Sequence, residues 1–176
     1  MRLSLTTIRS KVGKPVVAAV GGPAVGIGTT LLLHCDLVYA APGARFQLPF
    51  VPLGLVPEAG SSFLLPYIAG YQRAAELLLL GQPFDADKAY AAGFVNSIVP
   101  ESELLERARA GALAIAALPP AAVRATKALM RSRFGPRVSE AMTEEMKVFS
   151  ERLSSPEARE AMTAFFEKRK PDFSRF

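Results

Sequence analysis

The chain holds one cysteine in 176 residues, so no internal disulfide framework can staple it. That residue, Cys35, lies in an apolar run and reads as a small buried side chain, because a reactive thiol needs a basic, exposed setting. The one histidine, His34, has no cysteine or carboxylate at ligand spacing; it reads as structural, and no metal site or resident cofactor is expected. No segment has the pattern of a signal peptide or a membrane span. Residues 16–40 are rich in apolar side chains, but glycines, Pro23, His34 and Asp36 interrupt them, which suits a buried strand–turn–helix–strand better than a span. These absences lead to the expectation of a cytoplasmic protein that engages neither membrane nor nucleic acid. The net charge of +5 comes without an RNP-like, zinc-knuckle or helix-turn-helix pattern, and would equally serve a phosphorylated small molecule. Internal repeats and low-complexity tracts are also lacking.

Half of the residues are hydrophobic and 21% are charged, the balance of a chain that folds around a core. The length suits one domain. Met1–Lys14 carries Leu3, Leu5, Ile8 and Val12 at roughly helical spacing, with no start signal of its own, which suggests residues missing upstream. Pro15–Val20 reads as a buried strand, Gly21-Gly22-Pro23 breaks it, and Ala24–His34 reads as a helix entered through a glycine-bearing turn. Leu37–Ala40 is a second buried strand. Arg45–Pro57, with three prolines, is expected to be an extended, rigid loop. Helices are expected over 63–68, capped by Ser61 or Ser62, over 72–80, ending at Gly81, and over 86–92, capped by Asp85. Phe94–Val99 reads as a strand. Four amphipathic helices follow, over 101–117, 121–133, 138–153 and 156–168, broken at Pro119-Pro120, Gly135-Pro136 and Ser154-Ser155. The order of elements gives an α/β core over 1–100 and a helical region over 101–176, whose apolar faces need the core or another subunit to pack on.

The segments Lys14–Gly28 and Leu31–Ala40 resemble the signature of the crotonase, or enoyl-CoA hydratase/isomerase, superfamily. Further matches follow in order at Arg45–Phe50, Leu53–Ser62, Gly81–Ala86, Ala89–Val95 and Ala164–Pro171. The resemblance implies a crotonase-like ββα core (the ClpP/crotonase fold), lacking its N-terminal part here, and a C-terminal helical region that forms oligomers, as trimers or dimers of trimers, and covers coenzyme A. The implied partner is an acyl-CoA thioester. The implied N-terminal part carries an Ala-Gly-x-Asp segment that supplies one of two oxyanion N–H groups.

Gly26 and Gly28 flank Ile27 at a helix entrance, where unpaired N–H groups favour negative charge and glycine admits close approach. Alone, this is a common tight turn; the resemblance places the second oxyanion N–H on Ile27. Hydratases of the family use two glutamates, and those positions match Thr30 and Phe50, which cannot exchange protons as carboxylates do. Glu58 in Pro57-Glu58-Ala59-Gly60 would, in isolation, be an exposed loop acid. Within the resemblance it matches the glutamate of the isomerase branch, which shifts the double bond of 3-enoyl-CoA to the 2-position. One carboxylate suffices there, and the neighbours Phe50, Leu53, Leu55 and Val56 would raise its basicity by desolvation. The expected substrate contacts are Gly26, Gly28, Phe50, Leu53 and Pro57. Asp36 is expected to close the helix–strand corner. Lys168-Arg169-Lys170 reads first as a solvated basic tail and second as a reach for CoA phosphates. Against the enzyme stands a non-catalytic acyl-CoA-binding or oligomer-forming subunit; hydration and RNA binding rank lower.

Overall fold

The computed structural model of the chain describes residues 13–176. The pattern read at Leu3, Leu5, Ile8 and Val12 lies outside them.

The apolar strands form two small sheets. In the first, β1 (Val17–Val20) runs parallel to β3 (Leu37–Ala40), with Val17 opposite Leu37 and Val20 opposite Ala40. β6 (Ser97–Ile98) adds to the other side of β3, again parallel. In the second, β2 (Pro23–Val25) pairs parallel with β4 (Arg45–Gln47), and β4 pairs antiparallel with β5 (Phe84–Asp85). Parallel pairing requires a crossover. Between β1 and β3 the chain supplies it by stepping into the second sheet and through α1 (Ile27–Thr30), which tightens into a 3₁₀ turn over Leu31–His34.

Several elements differ from the sequence reading. The helix expected from Ala24 begins at Ile27, because Pro23–Val25 joins β4 and Gly26 holds φ at +56°. That conformation suits glycine, and the Gly26 N–H continues the ladder by donating to the Gln47 carbonyl at 2.9 Å. The extended loop expected over Arg45–Pro57 contains β4 and a 3₁₀ turn at Val51–Leu53, with Pro52 in its first turn, where no amide is needed. The strand expected over Phe94–Val99 keeps only Ser97–Ile98, while Phe94 and Val95 are buried in the core.

The helices are α2 (Ser61–Ala69), α3 (Tyr71–Leu80), α4 (Ala86–Ala91), α5 (Leu104–Ala116), α6 (Pro120–Ser132), α7 (Gly135–Leu153) and α8 (Pro156–Phe166). Asp85 caps α4 by accepting from the Lys88 amide at 2.9 Å, and Ser155 caps α8 by accepting from Ala158 at 3.1 Å. α5 packs on β1 and β3, α7 on α2, and α8 on the 51–53 turn. Phe46, Phe84 and Phe94 make the aromatic centre of the core, with Phe46 stacked on Phe84 at 5.7 Å and edge-on to Phe94 at 5.9 Å. Burying each such ring is worth about 1.5–3 kcal/mol.

Asp36 does close the corner. Its Oδ2 accepts from the Val16 amide at 2.7 Å and from Lys127 Nζ at 2.6 Å, while its own amide donates to the Val16 carbonyl at 2.8 Å. Cys35 is only half-buried, and burial pushes its thiol up, away from thiolate chemistry. Arg169 is exposed, as a solvated tail would be, and it pairs with Glu160 at 2.5 Å and Glu167 at 2.7 Å. This clamp holds the Glu160 carboxyl down at about 2. Among the described residues, no single helix is long and apolar enough to cross a membrane.

Gly81 ends α3 at φ +59°, and a Cβ there would lie 2.6 Å from Pro52 Cδ. Gly81→Ala combines a left-handed alanine with a clash in a turn that leads towards the site. It should cost roughly 3 kcal/mol, read as a lower urea midpoint at unchanged slope.

Candidate active site

Ile27 opens α1 and is half-exposed. Glu58 follows the 51–53 turn, and the backbone after it is unusual: Ala59 (φ +64°) and Gly60 (φ +74°) are both left-handed. Such a conformation costs an alanine energy and persists only where surroundings impose it. Two tethers impose it here. The Ala59 carbonyl lies 2.7 Å from His34 Nε2, so the structural role read for His34 is to hold the end of the 31–34 turn to the Glu58 loop. The Gly60 amide donates to Glu145 Oε2 at 2.5 Å.

Glu145 comes from α7, 85 residues downstream of Gly60 along the chain. Its Oε1 accepts from the Ser62 amide at 2.9 Å and the Ser62 hydroxyl at 2.5 Å. This buried carboxylate therefore caps α2, a role the sequence reading gave to Ser61 or Ser62. Ser61 instead donates its hydroxyl to the Glu58 carbonyl at 2.6 Å.

Glu58 reaches into a cleft of about 430 Å³. Ile27 and Phe50 line one wall, and Met142, Met146 and Phe149 of α7 line the other, with Glu145 at its edge. Glu58 Oε1 accepts from the Thr30 hydroxyl at 2.7 Å. Its Oε2 has no hydrogen-bond partner among the described residues. Burial in this apolar setting pushes the Glu58 carboxyl above the ordinary glutamate range, the Thr30 hydrogen bond opposes the shift, and the charge of Glu145 adds to it. The cleft thus holds two carboxylates with different capacities. Glu145 has both oxygens engaged by α2, whereas Glu58 keeps one oxygen for a proton.

Of the expected contacts, Ile27, Phe50 and Glu58 come together. Gly26 and Gly28 flank Ile27 in the turn and do not line the cleft. Leu53 lies in the 3₁₀ turn and does not line the cleft, whereas Phe50, just before that turn, does. Pro57 faces a separate pocket of about 170 Å³ with Val51, Pro66 and Tyr71. The greasy walls expected from Leu53, Leu55 and Val56 are supplied mainly by α7. A sequence signal for this existed: Val138, Met142, Glu145 and Phe149 share one helical stripe, and Glu145 is the acid on an otherwise apolar face. Among the described residues no group of three or more His, Cys, Asp or Glu side chains could hold a metal.

The family model described as enoyl-CoA hydratase/isomerase matches residues 3–175. The chain belongs to the enoyl-CoA hydratase/isomerase family. Its fold is the crotonase fold: the solved enoyl-CoA hydratase/isomerase of Pseudoalteromonas atlantica superposes with a TM-score of 0.92 at 43% identity, covering 96% of this chain and 68% of that one. Among curated relatives, enoyl-CoA delta isomerase 2 of Rattus norvegicus is 40% identical over 158 residues, covering 90% of this chain and 40% of the relative. The short-chain-enoyl-CoA hydratase of Clostridium acetobutylicum is 37% identical over 157 residues, covering 89% of this chain and 60% of the relative. Relatives in this family thus bear both hydratase and isomerase names, and the chain spans only part of their length.

Glu145 offers a test of the site's electrostatics. Glu145→Gln removes a like charge from the Glu58 cleft and weakens the α2 cap. The Glu58 titration should move to lower pH, and the protein should lose about 2 kcal/mol, or roughly 5 °C in Tm. Carboxyl-carbon NMR and thermal melts measure the two effects.

Proposed function

We propose that this family member is an enoyl-CoA isomerase, in which Glu58 alone shifts the double bond of a 3-enoyl-CoA to the 2-position. The observation that carries the reading is the division of labour between the two carboxylates in the cleft. Glu58 Oε2 removes a proton from the carbon beside the thioester carbonyl. The negative charge moves onto the thioester oxygen, where the Ile27 N–H donates to it. Glu58 then returns the proton two carbons further along. The proton taken equals the proton returned, so no water enters the reaction. The apolar walls from Phe50, Met142, Met146 and Phe149 suit an acyl chain and keep water from the enolate.

Hydration, which the names of some relatives suggest, requires a second group to position water. Thr30 and Phe50 are no substitute for a carboxylate, and Glu145 is bound up in capping α2. The isomerase reading also makes the 101–176 helices the region that covers coenzyme A and joins copies of the chain as a trimer or paired trimers. Met162, Phe165 and Phe166 stand exposed on α8 in support of such contacts.

The test is to supply the full-length protein with a 3-enoyl-CoA and a 2-enoyl-CoA in parallel. Formation of the conjugated thioester from the first, with no hydration of the second, is expected. Hydration of the 2-enoyl thioester at a comparable rate would refute the assignment.

A further inference from the structure

Thr30 is the last residue of α1 and has no exposed surface. A buried hydroxyl must place its hydrogen on an acceptor. In a helix the nearest choice is a carbonyl three or four residues back. The Ile27 carbonyl offers this, but at 3.5 Å, the long limit for such a bond. Glu58 Oε1 lies at 2.7 Å and is the better acceptor, since a carboxylate strengthens a hydrogen bond to it. The hydroxyl therefore points out of its helix and onto one oxygen of the Glu58 carboxyl.

We propose that Thr30 is a positioning residue for the base: its hydroxyl pins Glu58 Oε1, so that Oε2 is the oxygen that takes and returns the proton. The inference rests on the reading of Glu58 as the base. The bond serves both protonation states. In the carboxylate, Oε1 accepts from Thr30; in the acid, with the proton on Oε2, Oε1 is the carbonyl oxygen and still accepts. No bond of Thr30 breaks, and the carboxyl keeps its orientation while the substrate moves its reactive carbon. The buried end of α1 fixes the donor, because the Thr30 amide donates to the Gly26 carbonyl at 3.0 Å. Among the described residues, the other charged group facing this pair is Glu145 of α7, whose oxygens are held by Gly60 and Ser62. Met142, Met146 and Phe149 present no donor that could replace the hydroxyl.

The test compares Thr30→Ser with Thr30→Ala in the full-length protein; these two differ from each other by the hydroxyl alone, and thermal melts confirm that both fold. Alanine should lower kcat for a 3-enoyl-CoA by about tenfold or more with KM little changed, the loss of roughly one charge-assisted hydrogen bond. Serine should retain most of the rate. An independent readout is the Glu58 carboxyl carbon followed by NMR against pH: alanine should move its midpoint upward, because a bond that favours the carboxylate is gone, and serine should not. Equal midpoints for the two variants overturn the role of Thr30 whatever the activity. If the unaltered protein turns over no 3-enoyl-CoA while the midpoints differ, the isomerase reading falls and the Thr30–Glu58 contact stands.

Discussion

On the proposed isomerase reading, Glu58→Gln in the full-length protein should lower kcat for a 3-enoyl-CoA by about a thousandfold, near 4 kcal/mol of barrier, with KM changed little. The amide has the shape of the acid and can still accept from Thr30, so the cleft and the loop should survive; what goes is the capacity to hold a proton. Glu58→Asp separates position from chemistry. It keeps a carboxylate but withdraws it by one carbon from Thr30 Oγ1, and a displacement of that size costs on the order of a hundredfold. The pH dependence of the unaltered full-length protein should carry the same signature. The base must be ionised to act, so kcat/KM rises through the Glu58 titration. Burial raises that titration, so the acidic limb should lie above the ordinary glutamate value of about 4.3. A Glu58→Gln enzyme with kcat within tenfold of the unaltered one, measured by steady-state kinetics, would move the base to another residue.

Asp36→Asn is expected to give the largest loss of stability from a single substitution, about 3–5 kcal/mol, seen as a fall of roughly 10 °C in Tm. The reason is not the attraction lost but the charge left behind. Lys127 is only 7% exposed, and its ammonium is held between Asp36 Oδ2 at 2.6 Å and the Lys14 carbonyl at 2.7 Å. With asparagine opposite, that charge keeps only neutral acceptors and no counter-charge, in a site water barely reaches. The same carboxylate also receives the Val16 amide, so the start of β1 loosens with it. Combining Asp36→Asn with Lys127→Met should recover part of the loss, since an apolar replacement of a buried pair is often neutral. Additive losses in the double variant, measured by urea unfolding, would show that the pair is not the source.

The helices of the second half were legible because their breaks are chemically loud. Pro119-Pro120, Gly135-Pro136 and Ser154-Ser155 each sit within a residue or two of an observed helix end. The short strands were not: Pro23–Val25 and Phe84–Asp85 are too brief to show a period, and only pairing with β4 makes them strands. Within the site, Glu58, Ile27 and Phe50 could be named from local motifs. Glu145 and the Met142–Phe149 wall could not be placed against Glu58, because nothing local says that α7 folds back over the 58–62 turn.

By itself, then, the amino-acid order determined the family, because several motifs fall in register along the chain, and the resemblance carried by those motifs named Glu58 as the candidate base and set Thr30 and Phe50 where relatives have other carboxylates. Tertiary structure alone decided that Glu58 meets Thr30 and an apolar cleft, that Glu145 spends its charge capping α2, and that Leu53 and Pro57 do not line the cleft. Hydrogen bonds and burial act over a few ångströms of space whatever the separation along the chain, so a carboxylate's capacity to exchange a proton is settled only when distant segments have packed around it.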